Sequence, residues 1–282
     1  MPPHATQVQN DQLTAAEPGN GRGRQSRPLH TPRVAEAVAA QLRLRIIEGD
    51  LVGGSELPTE AQLLTEFPVS RPSLREAIRI LETEGLLKVR RGKRGGTVIT
   101  GPSRDTAAFQ VGLILHSRST TVTDLAAARK LVESLCAEQA ASRGDHAQAG
   151  ASLQQFAERG AAAVNDGFAF TSEAIAFHVA LVAAAGSETL QVVAGMLEAV
   201  WSVQEKDWAR EATEERKYPA IRLRKAALQA HRAISDAIIQ GDRYRAARLT
   251  RDHLEASQLY VAPDQTRLVR VLSEYGSSRM SD

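Results

Sequence analysis

The 282-residue sequence holds a single cysteine, Cys136. That excludes a disulfide framework and a cysteine-rich zinc site, and it fits a reducing cytoplasm. Aromatic residues are scarce at 4%; with alanine, leucine and valine abundant, this favours helices over a β-sandwich. Apolar runs such as Ala180 to Ala185 fall far short of the ~20 residues of a membrane span, so no membrane partner is expected. The opening Met1-Pro2-Pro3-His4 is not the basic patch and apolar run of a secretory leader. Nor does one sign of charge dominate, the formal net charge being +2. What is present is ordinary globular composition, 43% hydrophobic and 24% charged, which excludes wholesale disorder. At roughly 150 residues per domain the length suggests two domains.

Charge distribution says more than net charge. Residues 33–100 carry 11 Lys/Arg against 9 Asp/Glu, and five of those cations crowd into Lys88 to Arg94. Residues 101–282 carry 21 against 22. A local cationic cluster on a nearly neutral body is a candidate anion-binding footprint.

Residues 1–30, rich in Gln, Gly, Pro, Asn and Arg, read as a disordered tail. From Arg33 to Glu48 apolar residues recur at helical spacing, and Gly49 with the Gly53-Gly54 pair stops that helix. A short helix follows over about 59–67 with Thr59 as N-cap. After the turn Phe67-Pro68-Val69, Ser70 caps a third helix that runs to about Glu84 and ends at Gly85. Two short β-prone runs, Leu87 to Arg90 and Thr97 to Ile99, flank a flexible basic tip. Three helices and a two-stranded β wing make a winged helix-turn-helix over 31–100, and residues 101–105 form a linker. Every long segment beyond reads as helix: roughly 106–117, 123–142, 146–165, 169–185, 188–211, 219–240 and 243–261. The fold class is therefore mainly α, with an N-terminal winged helix-turn-helix and a C-terminal all-α bundle over 106–262. Residues 263–282, weakly periodic, read as a short helix or a loose tail.

Two constellations carry chemistry. On the third helix Leu74, Ala77, Ile78 and Leu81 form a buried stripe. Arg71, Arg75 and Arg79 occupy another face, where like charges at four-residue spacing cost about 0.2–0.5 kcal/mol per pair. Glu82 relieves only Arg79, so the arrangement makes sense where a polyanion takes up the charge. Arginine forks reach guanine edges in the major groove, and a capped helix N-terminus favours phosphate. In the bundle, His178, His231 and His253 each share a face with apolar residues. His231 and His253 lie 11 residues either side of Asp242, so both stand about 16 Å from the turn at 1.5 Å per residue. Facing imidazoles of this kind build metal sites in bundles, suited to Zn, Ni, Fe or Cu; each histidine also reads singly as a hydrogen-bonded core residue. Trp201 and Trp208, seven residues apart, line an effector pocket, a dimer surface or plain core.

The stretch Val34 to Ile99, with "LPTEAQLLTEFPVSRPSLREAIRILETEGLL" and "RRGKRGGTVI", resembles the winged-helix domain of the GntR family of transcription regulators. The resemblance implies that Arg71 and Arg75 read bases and that Ser70 and Ser73 hold phosphates, with Arg91, Gly92 and Lys93 as the wing contact. Ala61 stands where many members carry an arginine and Pro68 where they carry a turn glycine, so the usual operator does not carry over. The segments "DLAAARKLVESLCAEQAA", "AFHVALVAAAGSETL" and "HRAISDAIIQGDRYRAARLTRDHL" resemble the FCD ligand-binding bundle of the FadR subfamily. That likeness implies a divalent metal on His178, His231 and His253, completed by a carboxylate effector that pairs with Arg129. The aspartate usual four residues before the first histidine is Ala174 here, and Glu173 points about 140° away. Arg129 reads equally as an i,i+4 partner of Glu133 on the bundle flank.

The resulting expectation is a cytoplasmic homodimer on a palindromic operator of double-stranded DNA. It would be a metabolite-responsive regulator, most often a repressor in this family, and not an enzyme. Two alternatives stay open: an architectural DNA-binding dimer that senses nothing, and a histidine-metal enzyme.

Overall fold

The computed structural model describes residues 30–90, 96–262 and 264–271. The expectations for the tail before residue 30, for Arg91, Gly92 and Lys93, and for residues 272–282 lie outside that set. The chain forms α1 (His30–Glu48), α2 (Glu60–Glu66), α3 (Arg71–Thr83), β1 (Leu87–Arg90) and β2 (Gly96–Ile99). Then come α4 (Arg104–Ser117), α5 (Val122–Ser142), α6 (His146–Ala162), α7 (Gly167–Ala184), α8 (Glu188–Glu214), α9 (Ile221–Ile239) and α10 (Arg243–Val261).

The head is built by its caps. Thr59 accepts from the Gln62 amide while the Gln62 side chain accepts from the Thr59 amide at 2.9 Å, a reciprocal box that starts α2. Ser70 accepts from the Ser73 amide to start α3, each cap contributing about 1 kcal/mol. Pro72 lies in the first turn of α3, where its missing N–H costs nothing. Gly85, at φ +75°, ends the helix in a conformation that suits glycine, and a side chain there would strike Thr106. β1 and β2 pair antiparallel in the register Leu87 to Ile99 and Arg90 to Gly96. Beneath them Leu42, Leu63, Leu74, Leu81 and Ile99 make the head's core, each large side chain contributing about 1.5–3 kcal/mol by burial.

In the bundle, α5 packs against α10, α7 and α8, while α6 packs against α9 and α7. Phe177, Leu181, Ile234, Ile238 and Ala246 fill one core, and Val122, Leu125, Val200 and Trp201 another. Gly150 lets α6 approach α9 so closely that a side chain there would meet the backbone of Ile239 and Ser235. Among the described residues α7 alone is long and apolar enough to cross a membrane; its inward face bears the bundle residues Phe177, His178 and Leu181.

One sequence expectation is corrected. Residues 264–271 are not a loose tail: the segment returns as an extended strap beside the start of α5. The Val122 amide donates to the Arg267 carbonyl at 2.8 Å and the Val269 amide to the Thr120 carbonyl at 3.0 Å. Val269 is fully buried in the second core, and the Gln204 side chain brackets the Arg270 backbone at 2.8 and 2.9 Å. Burial of one valine and satisfied backbone groups hold the strap, neither of which shows as a sequence period.

Candidate functional site

The arginine face of α3 is presented to solvent. Arg71 and Arg75 keep 67% and 65% of their side chains exposed. Both guanidinium groups reach one carboxylate, Glu60 at the start of α2: Arg71 at 3.0 Å, and Arg75 at 3.2 and 3.4 Å. Their hydrogen bonds hold Glu60 below the usual carboxylate range, Arg75 contributing most. Arg79 pairs with Glu76 at 3.6 Å rather than with Glu82. Ser70 caps the helix, and its hydroxyl meets that of Ser73 at 2.8 Å. Ser73 is buried on the same side as Leu74 and Ala77. It serves the cap, so the phosphate role implied for Ser73 has no exposed hydroxyl behind it.

In the bundle the three histidines, all buried, converge from α7, α9 and α10. The Nε2 atoms of His231 and His253 lie 3.0 Å apart, and those of His253 and His178 3.3 Å apart. His178 Nδ1 donates to Glu133 at 2.7 Å, which fixes its tautomer and turns the Nε2 lone pair toward the other two rings. Phe177 stacks on His231 with ring centres 3.9 Å apart. Burial lowers the pKa of all three histidines, that of His178 to about 3, with the Arg129 charge adding to the effect. Neutral imidazoles are what metal ligation requires. Each Nε2 offers one in-plane position, so His253 can satisfy two neighbours only by sharing, whereas a metal ion accepts all three lone pairs. The donor set therefore fits a divalent cation, with Glu133 behind His178 and Ala174 contributing no ligand. Glu173 faces α6, paired with Arg159 at 2.9 Å, as its offset implied.

Arg129 is buried rather than on the flank, and it is already engaged. Its guanidinium donates to Glu198 at 2.6 and 3.3 Å, lies 2.5 Å from Glu133, and stacks over Trp201 with 5.0 Å to the ring centre. Burial works against its charge, but Glu133 and Glu198 outweigh that and keep it protonated. Burial pushes the Glu198 carboxyl up to about 7 although Arg129 pulls it down.

Between these groups lies a cavity of about 30 Å³, room for a water or two. It is lined by Arg129 and the three histidines together with Glu205, Trp208, Tyr218, Arg224 and Tyr260.

The two halves of the chain have separate counterparts among known proteins. Residues 34–99 match "Bacterial regulatory proteins, gntR family", and residues 124–256 match the FCD domain. The chain thus joins a segment similar to the gntR-family regulators to one similar to the FCD domain. A relative, the "HTH-type transcriptional repressor NanR" of Escherichia coli, is 35% identical over 97 residues, 34% of this chain and 36% of its own length. The match thus spans about a third of that relative. Among solved structures, "Streptococcus agalactiae GntR" is similar at 26% identity and a TM-score of 0.59, covering 79% of this chain and 98% of its own. The matched family model and the NanR relative are described as regulators, and neither lends support to the histidine-metal enzyme.

Three acidic partners escaped the sequence reading. Glu60, Glu198 and Glu205 each sit on a different helix from the arginine they serve: Glu60 is 11 residues before Arg71, and Glu198 is 69 residues from Arg129. Cys136 is inert packing, its thiol buried and pushed up to about 12.

The titrations give a pH signature to the metal-free protein. Unfolded histidines gain protons below about pH 6.5 while the buried three do not, so their contribution is present above that pH and lost as pH falls through it. Glu198 and Glu205, both raised to about 7, act oppositely: their contribution is lost as pH rises from about 4.5 to 7. Burial raises Glu133 as well, so three carboxylates oppose three histidines in the overlap. The urea midpoint of chelator-treated protein is therefore expected to stay roughly level between about pH 6.5 and 4.5 and to decline below about pH 4.5, where unfolded carboxylates also take up protons; a midpoint that climbs steadily on acidification to pH 4 would contradict these burial assignments.

Proposed function

We propose that this protein is a cytoplasmic, metabolite-responsive DNA-binding transcriptional regulator of the FadR subfamily, acting as a homodimeric repressor. The observation that carries the reading is the exposed Arg71–Arg75 pair at the capped start of α3, above a bundle whose cavity holds three convergent imidazoles. Arg71 and Arg75 reach base edges in the major groove of double-stranded DNA, and Ser70 with the α3 N-terminus faces the adjacent phosphate. Arg91, Gly92 and Lys93 complete the grip at the wing. A two-fold dimer calls for a palindromic operator.

His178, His231 and His253 hold a divalent metal such as Zn or Ni, which supplies open coordination positions for a small organic effector. The resemblance assigns Arg129 to an effector carboxylate, but Glu133 and Glu198 already pair with that guanidinium, so Arg129 shapes the site rather than greeting an anion. The effector works by binding one arrangement of the two heads better than the other; a coupling of about 1–3 kcal/mol changes operator affinity 5–150-fold.

The test is elemental analysis and calorimetric zinc titration of the full-length dimer, read beside operator binding. One metal per chain is expected, lost in His253→Ala, with a melting temperature that drops on chelation; about 4 kcal/mol of stabilisation accompanies zinc held at a thousandfold its Kd. Zinc binding that survives the double change His231→Ala and His253→Ala would remove the metal from the proposal. Absence of operator binding at low salt would remove the regulator.

A further inference from the structure

We infer that the arginines ahead of α1, Arg22, Arg24 and Arg27, grip the phosphate backbone of the duplex beside the bases that α3 reads. This rests on the DNA-binding reading above and adds to it a contact outside the helix-turn-helix and its wing.

Charge is unevenly placed before the head. Residues 1–17 hold no Lys or Arg and two acids, Asp11 and Glu17. From Pro18 to Ala35 the sign reverses: four arginines, Arg22, Arg24, Arg27 and Arg33, stand there with no Asp or Glu. A run of one sign just ahead of a DNA-reading head is the pattern of a basic arm that binds nucleic acid. Gly21 and Gly23 alternate with the first two arginines, so no bulky neighbour hinders their backbone from approaching a phosphate.

The fold decides where that charge is delivered. Arg33 and Val34, in the first turns of α1, line one groove with Phe67, Pro68 and Val69, the turn that leads into the Ser70 cap of α3. Farther along α1, Arg43 donates to Glu84, the residue that closes α3, at 2.8 Å. The two helices therefore start on the same side of the head, the side on which α3 presents Arg71. Arg33 is exposed there. Arg22 precedes Arg33 by 11 residues, a reach of up to about 36 Å at 3.3 Å per residue. One turn of duplex is about 34 Å, so Arg22, Arg24 and Arg27 come within range of phosphates that α3 does not touch. With no acid among them to take up their charge, each is available to displace counterions from the duplex.

The test replaces Arg22, Arg24 and Arg27 together by glutamine in the full-length protein, with a triple change to lysine as the charge-keeping control. Fluorescence anisotropy over a salt series reads operator and scrambled duplex. Each lost phosphate contact lowers the slope of log affinity against log salt by about 0.9, so the glutamine triple is expected to lower it by about 2–3 and to weaken both duplexes about tenfold or more at low salt. The ratio between the duplexes, which α3 sets, stays that of the parent, and so does the melting temperature, since the three positions precede α1. The lysine triple keeps the parental slope. The inference is overturned if the glutamine triple binds with the parent's slope and affinity, or if the lysine triple loses as much as the glutamine one. In either case a parent that still prefers operator, and loses that preference in Arg71→Ala, leaves the regulator reading standing and removes the arm alone.

Discussion

Arg129→Leu is expected to lower stability by about 3–5 kcal/mol, because it removes the single cation between two buried acids. Glu133 and Glu198 then face each other at 1% exposure each with no counter-charge. For a chain of this size that corresponds to a melting temperature lower by roughly 10 °C. The loss shrinks as pH falls from 8 toward 6, since protonating the carboxyls relieves them. A double change, Arg129→Leu with Glu198→Leu, recovers part of it, because exchanging a buried ion pair for apolar side chains is often near neutral. Thermal melts followed by circular dichroism at two pH values decide the matter. A variant that melts with the parent and loses only its response to a ligand would mean that Arg129 is a free recognition group after all.

The second large effect lies at the other end of the molecule. Arg71→Ala and Arg75→Ala are each expected to reduce discrimination between operator and scrambled duplex by about 1–3 kcal/mol, the range of a bidentate base contact. Competition anisotropy reads the ratio, and salt titration separates it from phosphate binding, which scales with log salt. Glu60→Gln is the informative control. It frees both guanidinium groups, so affinity for unrelated duplex rises while preference narrows. Unchanged discrimination in both arginine variants would take α3 out of the groove.

Much of this was legible before any coordinates, and the reasons are local. Helical period, Thr59, Ser70 and the breaking glycines placed the helices to within a few residues, because caps and apolar stripes act over one or two turns. The equal offsets of His231 and His253 from Asp242 put their Nε2 atoms at one height, since a short antiparallel turn converts sequence distance into rise. What stayed hidden depends on which helix lies beside which. The pairing of Arg129 with Glu133 was visible as an i,i+4 spacing, yet its burial follows from Trp201 and Glu198 arriving from α8. The link from Glu60 to Arg71 and Arg75 crosses the turn between α2 and α3. Ser73 was misplaced for a simpler reason: three residues from its cap and one from Leu74, it shares the inward stripe.

The strap at residues 264–271 has a consequence for how such proteins diversify. Because Val269 and Arg267 are stitched to Thr120 and Val122, the last described segment of the bundle is tied back to the turn between α4 and α5. A bundle closed in this way, with α4 packed on α8, carries its integrity with it, so evolution or an engineer can exchange what precedes α4 and keep the chemistry behind it.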